Sequence, residues 1–80
     1  MKILITGITG RIGANLAAAL LRDGHLVRGL VWARDPRIEK LSHLDLELQN
    51  GTITEPDDVR RAVDGSDVVY HLAAAFQGGG

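Results

Sequence analysis

The run Thr6-Gly7-Ile8-Thr9-Gly10-Arg11-Ile12-Gly13 is the segment whose residue types and spacing can do chemistry. It lies between the apolar run Ile3-Leu4-Ile5 and a stretch of helical periodicity that begins near Arg11. A diphosphate needs several donors at close range. The unpaired N–H groups at a helix start, with the positive end of the helix dipole, supply them without a lysine. Each glycine has its own task in such a turn. Gly7 allows the tight exit from the strand, Gly10 lets the backbone approach the phosphates, and Gly13 lets the helix pack closely on the strand. Three spaced glycines alone are weak evidence, and a glycine-rich turn without a ligand is the plainer alternative. The position after a strand and before a helix is what favours phosphate binding. Gly7, Thr9, Gly10, Arg11, Ile12 and Gly13 are therefore the first candidate site residues.

Such a turn requires a strand–helix–strand frame, and the chain supplies one. Ile12, Leu16, Ala19 and Leu20 recur at helical spacing, and Gly24 is placed to stop that helix in a left-handed conformation. Leu26 to Val31 is a second apolar run. Asp35-Pro36 breaks it and predicts a short helix through about Leu41, with Asp35 as N-cap. Leu44 to Leu48 alternates in period two and reads as a strand with one wetter face. Thr54 to Asp57 reads as a capping box, with Glu55, Asp57 and Asp58 at the favourable end of a helix dipole. Val59, Ala62 and Val63 give that helix an apolar stripe, and Gly65 ends it. Val68 to Leu72 is a fourth strand. Strands alternating with helices imply an α/β fold with a parallel sheet.

Length and composition narrow the classes. Eighty residues are at most one small domain, read as residues 1–77 with a flexible tail over 78–80. A chain this short buries only about 60% of its unfolded surface, so its core is thin. It has no cysteine, which suits a reducing cytoplasm and excludes disulfide or zinc–thiolate support. The net charge of −1, with scattered Lys and Arg, argues against a nucleic-acid partner. No apolar run approaches the roughly 20 residues of a membrane span, and the run at the N-terminus is too short for a secretory signal. His25, His43 and His71 are too dispersed for a metal site and read as structural. Arg60-Arg61 reads as the wet face of a helix.

Thr6-Gly7-x-x-Gly10-x-x-Gly13 resembles the cofactor signature of the extended short-chain dehydrogenases/reductases, the NAD-dependent epimerase/dehydratase family. Gly24-His25-x-Val27-Arg28 is similar to the family's entry into its second strand, and Asp67-Val68-Val69-Tyr70-His71-Leu72-Ala73-Ala74 to its fourth-strand run. The resemblance covers essentially the whole chain and the N-terminal third or so of a family member. It implies half of a Rossmann doubly wound parallel sheet with strand order 3-2-1-4. It also implies that Leu72, Ala73 and Ala74 line the adenine-ribose side of a dinucleotide. Where the family's third strand ends in Gly-Asp-hydrophobic, this chain has Gly51-Thr52-Ile53. A threonine hydroxyl still accepts a hydrogen bond there, so Thr52 and Ile53 are expected at the adenine, with weaker anchoring. Family catalysis uses a Ser or Thr and a Tyr-x-x-x-Lys pair. Tyr70 is the one tyrosine here and position 74 is Ala, so the chain carries no such pair and is expected to be catalytically incomplete by itself.

The end of the second strand bears on NADP against NAD. An acid there bonds the ribose 2′-OH, whereas an arginine accommodates a 2′-phosphate. The sequence reads Val31-Trp32-Ala33-Arg34-Asp35. Arg34 favours NADP, and Trp32 or Arg34 can stack on adenine. Asp35 is the rival, at about the right distance from the glycines, and it leaves NAD open. Three functions fit: the NAD(P)-binding N-terminal segment of an oxidoreductase or epimerase, a non-catalytic NADP(H) sensor, and a structural half-domain. The apolar outer edge of Val68 to Leu72 adds the expectation of a homo-oligomer through the fourth strand.

Overall fold

Ile3, Leu4 and Ile5 are all buried, which requires a strand covered on both faces. The computed structural model describes residues 1–72 and shows how this is done. Strands β1 (Lys2–Thr6), β2 (Leu26–Val31), β3 (Glu47–Asn50) and β4 (Val68–His71) form one sheet in the order β3-β2-β1-β4, with every pairing parallel. This is the expected 3-2-1-4 order. Helices α1 (Arg11–Arg22) and α2 (Pro56–Val63) and a 3₁₀ helix (Pro36–Leu41) connect the strands. Ala73, Ala74 and the tail from Gly78 lie outside the described residues.

Alternation along the strands divides the core in two. Ile3, Ile5, Val27 and Val31 meet Ala17 of α1, Ile8 of the turn and Leu41 of the 3₁₀ helix. Leu4 and Leu30 point the other way and meet Ala62 of α2, with Ile53 against them. Both connecting helices are thus fixed by small residues, Ala17 and Ala62, that let backbone approach the sheet.

A buried cation pins α2. Arg28 of β2 donates from Nη1 to the carbonyl oxygens of Ala62 and Asp64, each at 2.7 Å, and its Nε lies 3.2 Å from Glu47 Oε2. The last carbonyls of a helix have no partner within it, and Arg28 satisfies two of them from the sheet.

The expected ends of α1 and the 3₁₀ helix match the structure. Gly24 follows α1 with φ of +89°. Asp35 caps the 3₁₀ helix by accepting from the Arg37 N–H at 2.9 Å. Two expectations are corrected. The third strand is Glu47–Asn50, not Leu44 to Leu48; Leu44 and Leu46 instead drop into the core beside Leu41 as the chain leaves the 3₁₀ helix. Alternate leucines mark burial of alternate side chains, which a coil provides as readily as a strand. The second correction concerns Thr54, which caps no helix. The helix starts at Pro56 with Glu55 as N-cap and no side-chain cap bond. Proline has no N–H and a preset φ, so it takes the first helical position and moves the start one residue along.

Candidate functional site

The three described loops that leave the carboxyl ends of β1, β2 and β3 converge on one cleft, as parallel sheets require. The turn after β1 supplies Gly7 and Thr9, the loop after β2 supplies Trp32, Asp35 and Arg37, and the loop after β3 supplies Gly51, Thr52, Ile53 and Thr54. A neighbouring hollow is lined by Gly7, Gly10, Arg11, Ile12, Gly13 and Leu72.

The second hollow is the start of α1. Gly7 has φ of +74° and its carbonyl accepts from the Gly10 N–H at 3.0 Å, which closes the turn. The first bond of the helical ladder runs from Ala14 N–H to Gly10 O at 2.9 Å. The amides of Arg11, Ile12 and Gly13 precede that ladder, and no acidic side chain lies in the first turn to compete for them. A Cβ at Gly13 would stand 2.3 Å from Gly7 O and 2.7 Å from Ile8 Cα. The close approach at Gly13 is therefore between the helix and the turn itself, just past the strand. A Cβ at Gly10 would lie 3.3 Å from Gly7 O. Arg11 and Ile12 are exposed at the mouth, and Leu72 closes the far side.

The first hollow is built around Asp35. Its Oδ2 accepts from Thr9 Oγ1 (2.9 Å) and Arg37 Nη2 (3.0 Å), and its Oδ1 from Arg37 N (2.9 Å) and Nε (3.0 Å). The Arg37 guanidinium, then the Arg37 N–H, and also the Thr9 hydroxyl hold the Asp35 carboxyl well below the usual range, while burial opposes them. Asp35 in turn raises the pKa of Arg37. Four donors fill the four lone-pair positions of the carboxylate.

Trp32 is exposed and borders this hollow with Thr52 and Ile53. The Thr52 N–H donates to Asp58 Oδ2 at 3.1 Å, and Arg61 holds the other Asp58 oxygen. Thr52 Oγ1 and Thr54 Oγ1 are 3.1 Å apart. The structure thus brings Gly7, Thr9, Trp32, Thr52 and Ile53 to one hollow and Gly10, Arg11, Ile12, Gly13 and Leu72 to the adjoining one. Arg34 is exposed and is absent from the described lining of either hollow. Ala73 and Ala74 lie outside the described residues.

Sequence reasoning missed Arg37, which lines the cleft, and Ile8, the buried residue of the turn. The Asp35-Pro36 cap was the available signal for Arg37, since an N-cap carboxylate accepts from the N–H two residues on. His71 meets Thr6 across β1 and β4, Nδ1 to Oγ1 at 2.8 Å. Among the described residues no group of His, Cys, Asp and Glu is arranged to hold a metal, and no helix is long and apolar enough to cross a membrane.

The family profile described as the NAD dependent epimerase/dehydratase family matches residues 3–80. The chain belongs to that family. A 3 beta-hydroxysteroid dehydrogenase/Delta 5-->4-isomerase of Mycobacterium tuberculosis is 41% identical over 76 residues, which are 95% of this chain and 20% of that protein. The crystal structure of gox2253 superposes with a TM-score of 0.82 at 33% identity, over 94% of this chain and 22% of that one. The Bordetella bronchiseptica enzyme WbmH, solved in complex with NAD+, gives a TM-score of 0.77 at 33% identity, over 95% of this chain and 26% of its own. The chain spans about a fifth of the length of the curated relatives it matches. The α/β sheet is of the Rossmann type, as in these enzymes.

Proposed function

We propose that this chain is the nicotinamide-dinucleotide-binding segment of an oxidoreductase or epimerase-type enzyme, and that it prefers NADP to NAD. The observation that carries the first part is the start of α1. Three amides precede the helical ladder, glycines keep them uncovered, and no carboxylate competes in the first turn. A diphosphate fits that array by charge and by donor count. The relative solved with NAD+ supports the same reading.

The preference for NADP rests on the first hollow. The carboxylate there, Asp35, already accepts four bonds and has no lone pair left for a ribose hydroxyl. Asp35 engages Nε and Nη2 of Arg37, which leaves Nη1 for a ligand. Arg34, Asp35 and Arg37 together carry one net positive charge, which suits a 2′-phosphate.

The test of diphosphate binding is Gly10→Val. A branched side chain at that position covers the amides from above the turn. Titration of NADP and NAD followed by calorimetry, or of their reduced forms followed by nicotinamide fluorescence, should show both affinities falling by about 100-fold, the scale of two lost charge-assisted bonds. An unchanged affinity in a folded variant refutes the reading.

A second reading is favoured by β4. It is an edge strand of the described sheet, and Val69 and Tyr70 are each at least 40% exposed. Pairing of two copies along that edge satisfies its open N–H and C=O groups and covers those side chains. The two readings are compatible, because the cleft opens at the strand ends rather than along the edge.

A further inference from the structure

Ile8 is fully buried although it sits in the middle of a glycine-rich turn. Its side chain enters the sheet at Gly29 of β2. A Cβ on Gly29 would stand 2.7 Å from both Ile8 Cδ1 and Ile8 Cγ2, and 3.3 Å from Ile8 Cβ. Gly29 falls between Val27 and Val31 on the core face of β2, where the strand pattern calls for a side chain. The missing side chain is replaced by one from the turn.

We propose that Gly29 and Ile8 form a socket and plug that set the height of the phosphate-binding turn, so that Gly29 is a positioning residue for the dinucleotide. The inference rests on the reading of that turn as a diphosphate site. Neither the strand nor the turn has slack to absorb an added atom. Gly29 is held on both sides, paired with Ile5 of β1 and Leu48 of β3, so the strand does not yield. Ile8 Cδ1 is the end of a flexible chain and can rotate away. Ile8 Cγ2 is a branch at Cβ, where χ1 rotation is stiff and brings Cγ1 in as Cγ2 leaves, and Cβ itself, 3.3 Å from the added atom, moves only with the backbone of the turn.

The turn has no slack of its own. Gly7 O accepts from the Gly10 N–H at 3.0 Å, and the Cβ position of Gly13 lies 2.3 Å from that same oxygen. Any lift of Ile8 is therefore passed to Gly7 O and on to the amides of Arg11, Ile12 and Gly13. A methyl group added at Gly29, in the sheet, displaces donors on the far side of the turn. Glycine in a strand interior is otherwise unfavourable, so alanine here would stabilise the strand if the socket were empty.

The experiment is a comparison of parent, Gly29→Ala, the double variant Gly29→Ala with Ile8→Ala, and Val27→Ala. Val27 is buried on the same face of β2 but away from the turn. Two quantities are read: dissociation constants for NADP and NAD, and hydrogen exchange at the Gly10 amide relative to amides of β1. Gly29→Ala should weaken dinucleotide binding at least tenfold and speed Gly10 exchange by a similar factor. Ile8→Ala in that double variant, which removes both Cγ2 and Cδ1, should restore both to within about threefold. Val27→Ala should lower the melting temperature without either change. Parental affinity and parental Gly10 exchange in Gly29→Ala overturn the proposal, as does equal loss of affinity in Val27→Ala. A parent that binds neither dinucleotide sinks the functional reading, and the exchange measurements then decide the socket on their own.

Discussion

Thr9 and Asp35 join two loops that are far apart in sequence. Thr9 Oγ1 donates to Asp35 Oδ2 at 2.9 Å, across 26 residues, and links the glycine-rich turn to the loop that follows β2. Thr9 is only 5% exposed, so the bond is made at the base of the cleft. The glycine-rich turn and the loop after β2, the two sides of the proposed site, are thereby held in fixed relation by a charge-assisted bond.

Thr9→Val keeps the shape of the side chain and removes the donor. Asp35 retains Arg37 but loses its tie to the turn. The expected outcome is a melting temperature lower by a few degrees and dinucleotide affinity reduced by about threefold to tenfold. Differential scanning fluorimetry and calorimetric titration measure the two. A variant with parental values in both shows that the two loops are held by other means.

Acid should weaken the fold through Asp35 more than through any other group described above. Its carboxyl ordinarily titrates near 3.8, and the Arg37 guanidinium above all lowers it in the folded protein. The unfolded chain therefore binds the proton first as pH falls. The stabilisation is fully present above about pH 3.8 and drains away below it toward the folded value. Glu47, lowered from 4.5 chiefly by its hydrogen bond to Lys2, acts with the same sign, but its side chain is 51% exposed and water screens it. Melting temperature against pH should fall below pH 4. Asp35→Asn should flatten that limb more than Glu47→Gln, and the reverse ranking refutes the assignment.

The split between Arg37 and Arg34 is also measurable. Arg37 lines the cleft with Nη1 bonded to none of the described residues, whereas Arg34 is outside the described lining. Arg37→Ala should cost NADP affinity about 10-fold to 100-fold, the scale of a lost bond to a charged group, and NAD affinity less than threefold. Arg34→Ala should have a smaller effect of the same sign. Equal loss for both cofactors in Arg37→Ala means that the residue supports the loop and does not read the 2′ position.

The parts of the fold that were legible in the sequence are those fixed by local chemistry. The run Ile3-Leu4-Ile5, the helical spacing of Ile12, Leu16 and Leu20, the stop at Gly24 and the cap at Asp35 each follow from neighbouring residues. The start of α2 was equally local, and Pro56 marks it more firmly than Thr54 does. What could not be read is what depends on two distant segments meeting. Leu44 and Leu46 look like strand residues until the 3₁₀ helix places them over the core. Ile8 looks like part of a motif until Gly29 is seen to leave a place for it. Arg28 looks like an ordinary charged strand residue until α2 presents its last carbonyls.

The edge strand β4 gives the last prediction. It pairs with β1 on one side only among the described residues, through the register Ile3↔Val68 to Thr6↔His71. Val69 and Tyr70 are 43% and 40% exposed on its two faces, so a partner strand would gain ladder bonds and apolar cover together. Two copies related by a two-fold axis would meet there with β4 antiparallel to its mate. Sedimentation of the 80-residue chain should show a mass that rises with concentration from 8.6 kDa toward twice that value. Val69→Lys places a charge on the edge and should shift the association midpoint upward at least tenfold, while the dinucleotide affinity of the monomer stays at the parental value because the cleft lies elsewhere. A mass of one chain at every concentration removes the edge as an interface.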